Sequence, residues 1–196
     1  MYLKLPLIGA LAVGIAMSSN DAAAADNPQV AIETSMGKIV LELYPDKAPK
    51  TVANFLTYVN DGFYAGTIFH RVIGTFMIQG GGFTEDLYKG NLRTKSGNAP
   101  VAIESQNGLK NDKGWVAMAR TSDPNSATSQ FFINTVDNDS LNYPSFDGHG
   151  YAVFGKVIEG MDVVAKIAAV GTGTVGPLQD VPDEVIKIEG ATQVGK

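Results

Sequence analysis

Only two stretches of this 196-residue chain carry an apolar stripe at helical spacing, and that scarcity constrains the fold more than any other feature. Val52, Phe55, Leu56 and Val59 fall at i, i+3, i+4 and i+7, behind Pro49 at a position suited to a first helical turn and ahead of Gly62, where a C-cap belongs. Val163, Val164, Ile167 and Ala168 form the second stripe, in a helix expected over 161–170. The remaining apolar segments are short and bounded by Gly, Asn, Asp, Ser and Pro, as strands are. They run over 29–34, 38–44, 67–72, 76–79, 115–120, 130–135, 151–157 and 184–189, with Ile39, Leu41 and Leu43 sharing one face of the second. The first two read as a hairpin covered by the first helix, and residues 191–196 as a frayed tail. Many short strands with two helices predict a mainly β protein, a closed or nearly closed barrel capped by helices. No internal repeat or long linker divides it.

The N-terminus is expected to lie outside that fold. Lys4 supplies a positive start, Leu5 to Met17 an apolar run, and Ala22 to Ala25 small residues around a cleavage site. This is the three-part layout of a secretory signal peptide, and the run is shorter than the roughly 20 residues that span a bilayer. Residues 1–25 are therefore read as a signal peptide and 26–196 as one domain, exported and with no membrane attachment once the signal is removed. A formal net charge of −5 without a basic cluster argues against nucleic acid as a partner. There is no cysteine, which excludes disulfides and thiol catalysis, and with two histidines, His70 and His149, a His/Cys metal site is not expected.

Three motif matches fail or stay open. Gly171 to Gly176 fits G-x-G-x-x-G but follows a helix and meets Pro177, so it is read as a surface loop. Asp137-Asn138-Asp139 opens like a calcium loop, but Asn142 and Gly148 stand where the loop needs Gly and Glu. Asn138-Asp139-Ser140 is a formal glycosylation sequon.

Two segments stand out, Phe69 to Phe83 and Ser126 to Asn134. Alternation places Phe69, Arg71 and Ile73 on one face of a strand and His70 and Val72 on the other. An arginine amid apolar residues is the oddity; taken alone it reads as a core-edge arginine reaching solvent. Phe76, Met77 and Gln79 surround the tip of the next strand, and three glycines let its backbone pass close to a neighbour.

Five motifs in order, F-H-R-V-I, F-M-I-Q-G-G, W-V-A-M-A-R, S-Q-F-F-I-N and Y-A-V-F-G-K-V, resemble the signature of the cyclophilin family of peptidyl-prolyl cis-trans isomerases, its periplasmic bacterial branch above all. The resemblance runs from about Val30 to about Glu189. It implies an eight-stranded antiparallel barrel capped by two helices, a substrate groove on the outer surface, and no cofactor. By position it implies Arg71 as the catalytic arginine and Gln79 as a hydrogen-bond partner of substrate backbone. Phe76, Met77, Phe132 and Leu141 would form the proline pocket, with Ile73 at its edge. Arg120 would pair substrate through its main chain, Thr121 and Gln130 border the adjoining pocket, and Tyr151 stands where many relatives carry histidine. The implied partners are proline-containing peptides and unfolded or folding exported proteins, with the protein acting as a periplasmic monomer. Two departures matter. Gly74-Thr75 replaces a usual Pro-Gly, and Ser140 stands where many eukaryotic relatives have tryptophan, so a cyclosporin-type ligand would bind weakly.

The chemistry suits such residues. Rotation about an X-Pro bond breaks nothing and needs no nucleophile, only tighter binding of the twisted imide than of either planar form. His70, pointing away from Arg71, is expected to pack beneath the site, and Trp115, Met118 and Phe131 to belong to the core. A holding-only chaperone using the same groove, and a barrel hydrolase, are the competing function classes.

Overall fold

A computed structural model describes Met1 and residues 27–195 of the chain. The expected signal peptide and its cleavage site lie outside these described residues. Eight strands close a barrel: β1 (Gln29–Thr34), β2 (Gly37–Leu43), β3 (Thr67–Ile73), β4 (Met77–Thr84), β5 (Trp115–Met118), β6 (Phe131–Asn134), β7 (Val153–Glu159) and β10 (Lys187–Val194). Their order around it is β1-β10-β3-β4-β6-β5-β7-β2, with antiparallel pairing throughout. Closure removes the open edges that a sheet of short strands would otherwise present.

The helices α1 (Pro49–Asn60) and α2 (Met161–Ala168) turn their stripes into the barrel core. Val52, Phe55 and Val59 of α1, and Val163, Val164 and Ile167 of α2, join Ile39, Leu41, Ile78, Ile133 and Ile188 there. Phe55 meets Phe131 edge-on at 5.6 Å and Phe154 at 5.1 Å, the offset geometry that aromatic quadrupoles favour. No helix among the described residues is long and apolar enough to cross a membrane.

Three local expectations need correction, and the sequon left open finds its place. The segment read as a surface loop is a hairpin, β8 (Thr172–Val175) with β9 (Leu178–Pro182). The tail read as frayed continues β10 to Val194, whose partner is Gln29. Phe69 and Arg71 do not share a face, because the β3–β4 register shifts on either side of Phe69. That bulge turns Phe69 and Val72 into the barrel core and leaves Arg71 and Ile73 outside. Finally, Asn138 is buried and its side-chain amide donates to Phe76 O at 2.8 Å and Asn134 Oδ1 at 2.7 Å, so the sequon is not presented on the surface.

Candidate active site

The antiparallel register lays a row of residues across the outside of the barrel. Arg71 on β3 lies opposite Gln79 on β4, Gln79 opposite Phe132 on β6, Phe132 opposite Ala117 on β5, and Ala117 opposite Val153 on β7. Side chains directly opposite stand about 4.5–5.5 Å apart at Cβ, so this register alone brings arginine, glutamine and phenylalanine together. Beneath them Met77, Ala117, Phe132, Leu141 and Val153 form an apolar cluster separate from the barrel core.

Above it opens a cup lined by Arg71, Phe76, Met77, Gln79, Ala119, Arg120, Phe132, Leu141 and Tyr151, with room of about 120 Å³. A dry cavity near 150 Å³ admits benzene, so this one matches a single small ring. Eight of the eleven residues expected at the site converge here. Ile73 packs against the same cluster at its margin. Gln130 stands behind Gln79, whose Nε2 donates to Gln130 Oε1 at 3.0 Å. Thr121 is exposed, and its hydroxyl and amide both donate to Ser126 Oγ, at 2.8 and 2.9 Å, so it shapes the neighbouring turn rather than the cup. Ala119, which the sequence reading did not single out, completes the wall; its place next to Arg120 was the only available signal.

Two glycines make the geometry achievable. A Cβ on Gly82 would come within 2.4 Å of Gln130 Cγ, so only glycine leaves the Gln130 side chain where it meets Gln79. A Cβ on Gly74 would lie 2.5 Å from the Ala168 carbonyl oxygen at the end of α2. The departure at Gly74-Thr75 therefore lets the β3–β4 turn lie against α2, and Phe76 keeps its place in the cup.

The two arginines differ sharply. Arg71 leaves 41% of its side chain exposed and faces Asp180. Arg120 has a side chain only 3% exposed, paired with the Asp147 carboxylate. It also donates to Gly150 O at 2.7 and 3.1 Å and to Thr121 O at 3.0 Å, and lies 4.4 Å from the Tyr151 ring centre. The Arg120 guanidinium, with the His149 and Gly150 amides, holds the Asp147 carboxyl well below the usual carboxylate range. Arg120 thus braces the loop that carries Leu141 and Tyr151, and its side chain is spent. Leu141 N in turn bonds Asn138 O at 2.9 Å, and Tyr151 N bonds Leu141 O at 3.0 Å.

His70 is buried against Phe83, ring centres 4.7 Å apart, on the far side of β3 from the cup. Burial, with a smaller effect from Arg71, pushes its pKa down to about 4. Met118 and Phe131 lie in the core as expected. Trp115 does not: it is half-buried, stacked on Tyr44 at 5.4 Å, and packs behind the cup.

A closed antiparallel barrel carries a shallow one-ring groove on its outer wall, with a half-exposed arginine at the rim and a glutamine pair beside it. Comparison with known proteins identifies the class. Residues 29–193 match the family described as cyclophilin type peptidyl-prolyl cis-trans isomerase. A peptidyl-prolyl isomerase of Streptomyces antibioticus is 56% identical over 85% of this chain and 98% of its own length. Isomerase B of Escherichia coli K12 is 53% identical over 83% of this chain and 98% of its own. A crystal structure of a Cryptosporidium parvum cyclophilin, 29% identical, superposes with a TM-score of 0.72 over 87% of this chain and 99% of that one. The same protein crystallised in the presence of the dipeptide Ala-Pro superposes at 0.71 over 86% of this chain and 99% of that one. The chain belongs to the cyclophilin-type peptidyl-prolyl cis-trans isomerases, and the reaction it catalyses is rotation about the peptide bond preceding proline.

Proposed function

We propose that the cup takes the proline ring of an X-Pro segment and that Arg71 stabilises the twisted imide. The observation that carries this reading is the convergence of one half-exposed arginine with Phe76, Met77, Phe132 and Leu141 around room for one small ring. The amide loses resonance as it twists, and its barrier is about 18–20 kcal/mol. Arg71 presents a planar fork of donors to the proline carbonyl and the imide nitrogen, whose lone pair localises on twisting. A single charged hydrogen bond contributes about 1.5–3 kcal/mol, and each 1.36 kcal/mol of differential binding gives about tenfold in rate. One contact therefore supplies about two orders of magnitude, and the rest comes from fixing the ring and orienting the backbone through Gln79. Gln79 is pre-positioned for this by its bond to Gln130. The Arg120 amide and carbonyl make no hydrogen bond among the described residues, which leaves that main chain free to pair with an extended peptide.

The substrates on this reading are exported proteins in the periplasm, supported by the signal-like layout of Met1 to Ala25. The Ala-Pro dipeptide of the Cryptosporidium crystal belongs to the same chemical class. The direct test is cis–trans exchange of a short Ala-Pro peptide by the wild type and by Arg71→Ala. Loss of one transition-state donor predicts a fall in kcat/KM of about two to three orders of magnitude. Arg71→Lys should restore little, since a point charge does not reproduce the fork. Full activity in a folded Arg71→Ala protein would remove the arginine from the mechanism, and peptide binding without exchange by the wild type would leave a holding role alone. Export is tested separately by sequencing the N-terminus of protein recovered from the cell envelope, which should begin at or near Asp26.

A further inference from the structure

Of the two arginines lining the cup, Arg71 has one ion-pair partner among the described residues, Asp180. Its carboxylate Oδ2 lies 3.5 Å from Arg71 Nε, with 41% of the arginine side chain and 37% of the aspartate side chain exposed. The contact is made at the Nε edge, and no hydrogen bond of the terminal nitrogens occurs among the described residues. Those nitrogens are the part of the fork that a substrate carbonyl would meet.

Asp180 is held in this place from both sides. Next to it, Val181 is 1% exposed, packed with Ile68 of β3, Phe83 of β4 and Leu87. Tyr88 Oη donates to Pro182 O at 2.8 Å, and the Asp183 amide donates to Gly171 O at 2.9 Å. The β8–β9 hairpin is therefore pinned to the same strand that carries Arg71. Within it Asp180 has φ of 60°, in the left-handed region where a residue with a Cβ is strained and glycine is not. A carboxylate kept at such a position, aimed at the rim of the groove, points from the strained residue to a use for its side chain.

We propose that Asp180 is a positioning residue of the isomerase: its carboxylate holds the Nε edge of Arg71, turning the terminal nitrogens toward the groove and making the β8–β9 hairpin part of the site. The proposal rests on the reading of Arg71 given above. A screened pair of exposed charges does not anchor a barrel, so the effect falls on turnover rather than on folding. KM would change little, because the cup that binds the ring is untouched.

The test uses the full chain and the Ala-Pro exchange assay alongside thermal unfolding. Asp180→Asn, which keeps the shape and tolerates the left-handed backbone, should lower kcat about tenfold, the scale of a modest charged contact. Asp180→Gly relieves the backbone strain, so it should hold or raise the unfolding temperature while losing the same activity; a structural role would move both together. Salt of about 1 M shrinks the screening length to about 3 Å and should lower wild-type turnover more than that of Asp180→Asn. In an Arg71→Ala background neither Asp180 variant should cost anything further. Wild-type turnover by Asp180→Asn, or an additive loss on top of Arg71→Ala, overturns the proposal while leaving Arg71 in place. If Arg71→Ala itself stays fully active, the reading of Arg71 fails and the positioning role with it.

Discussion

Phe132 is 3% exposed, faces the cup from the centre of the register row, and receives the Tyr151 ring edge-on at 5.7 Å. Truncating it should therefore weaken both stability and binding. Phe132→Ala is expected to cost about 3–5 kcal/mol, the range typical of Phe→Ala at a buried position. It should also raise KM for an Ala-Pro peptide, in contrast to Arg71→Ala; paired urea melts and exchange kinetics separate the two. Ser140 makes the opposite case, a residue whose smallness matters. It is exposed beside Leu141, and its carbonyl accepts from Ser145 Oγ at 2.6 Å. A tryptophan there would add an indole surface and a donor to the rim. Ser140→Trp should thus tighten inhibition by a cyclosporin-type ligand that binds the wild type weakly, measured as the inhibitor concentration halving exchange. At this scale the cup was legible because its residues lie in contiguous motifs. Asp180 and Asp147 were not. Each meets its arginine only through tertiary folding, and the Asp180-Val181-Pro182 and Asp147-Gly148 segments carry no local sign of an ion pair.

Elements show where local pattern suffices and where partners decide. Helix α1 was plain from its stripe, yet it lacks a local cap: Ala48 stands at the N-cap position and offers no side-chain acceptor. The acceptor comes instead from Glu104, far along the chain, whose carboxylate takes the Lys50 amide at 3.1 Å, the Thr51 amide at 2.8 Å and the Thr51 hydroxyl at 2.7 Å. A carboxylate at a helix N-terminus satisfies free N–H groups and complements the helix dipole. Glu104→Ala should cost about 0.5–2 kcal/mol, the range for losing an N-cap, and Glu104→Gln less; thermal unfolding checks it, and kcat/KM should hold. The elements missed in the sequence are missing for a related reason. Strand β8 is Thr172-Gly173-Thr174-Val175, exposed nearly throughout, so no apolar alternation marks it and only pairing with β9 makes it a strand. The end of β10 is likewise held by register with β1, a nonlocal partner. Alternation in β3 gave the wrong face for Phe69 because a bulge adds a residue that period-two counting does not see.

For the whole molecule, placing the reaction in a groove on the outside of a closed barrel separates its chemistry from the titration of buried groups. The barrel as an architecture was readable from short bounded strands and two helical stripes; that Phe83 would shield His70 and depress its pKa was not, because the bulge in β3 and the packing of Phe83 set that environment. The groove offers the guanidinium groups of Arg71 and Arg120 and the side-chain amides of Gln79 and Gln130. Twisting an imide moves no proton. We therefore expect kcat/KM on an Ala-Pro peptide to be flat between about pH 6 and 8, the window in which an unperturbed histidine would titrate. A bell-shaped profile with a tenfold fall on either side would reveal acid–base chemistry. Stability should behave differently. His70 is pushed down to about 4 by burial, from an ordinary value of 6.5, and its Nδ1 has no hydrogen-bond partner among the described residues. Between those two values the unfolded chain binds a proton that the folded barrel refuses, so stability is complete above pH 6.5 and declines as pH falls toward 4. At 1.36 kcal/mol per pKa unit, this one group removes about 3 kcal/mol by pH 4. Urea melts from pH 8 to 4 should show that slope in the wild type, and His70→Phe, which fills the same site beside Phe83 without a titrating nitrogen, should remove it. A slope that persists unchanged in a folded His70→Phe protein would assign the acid sensitivity to another group.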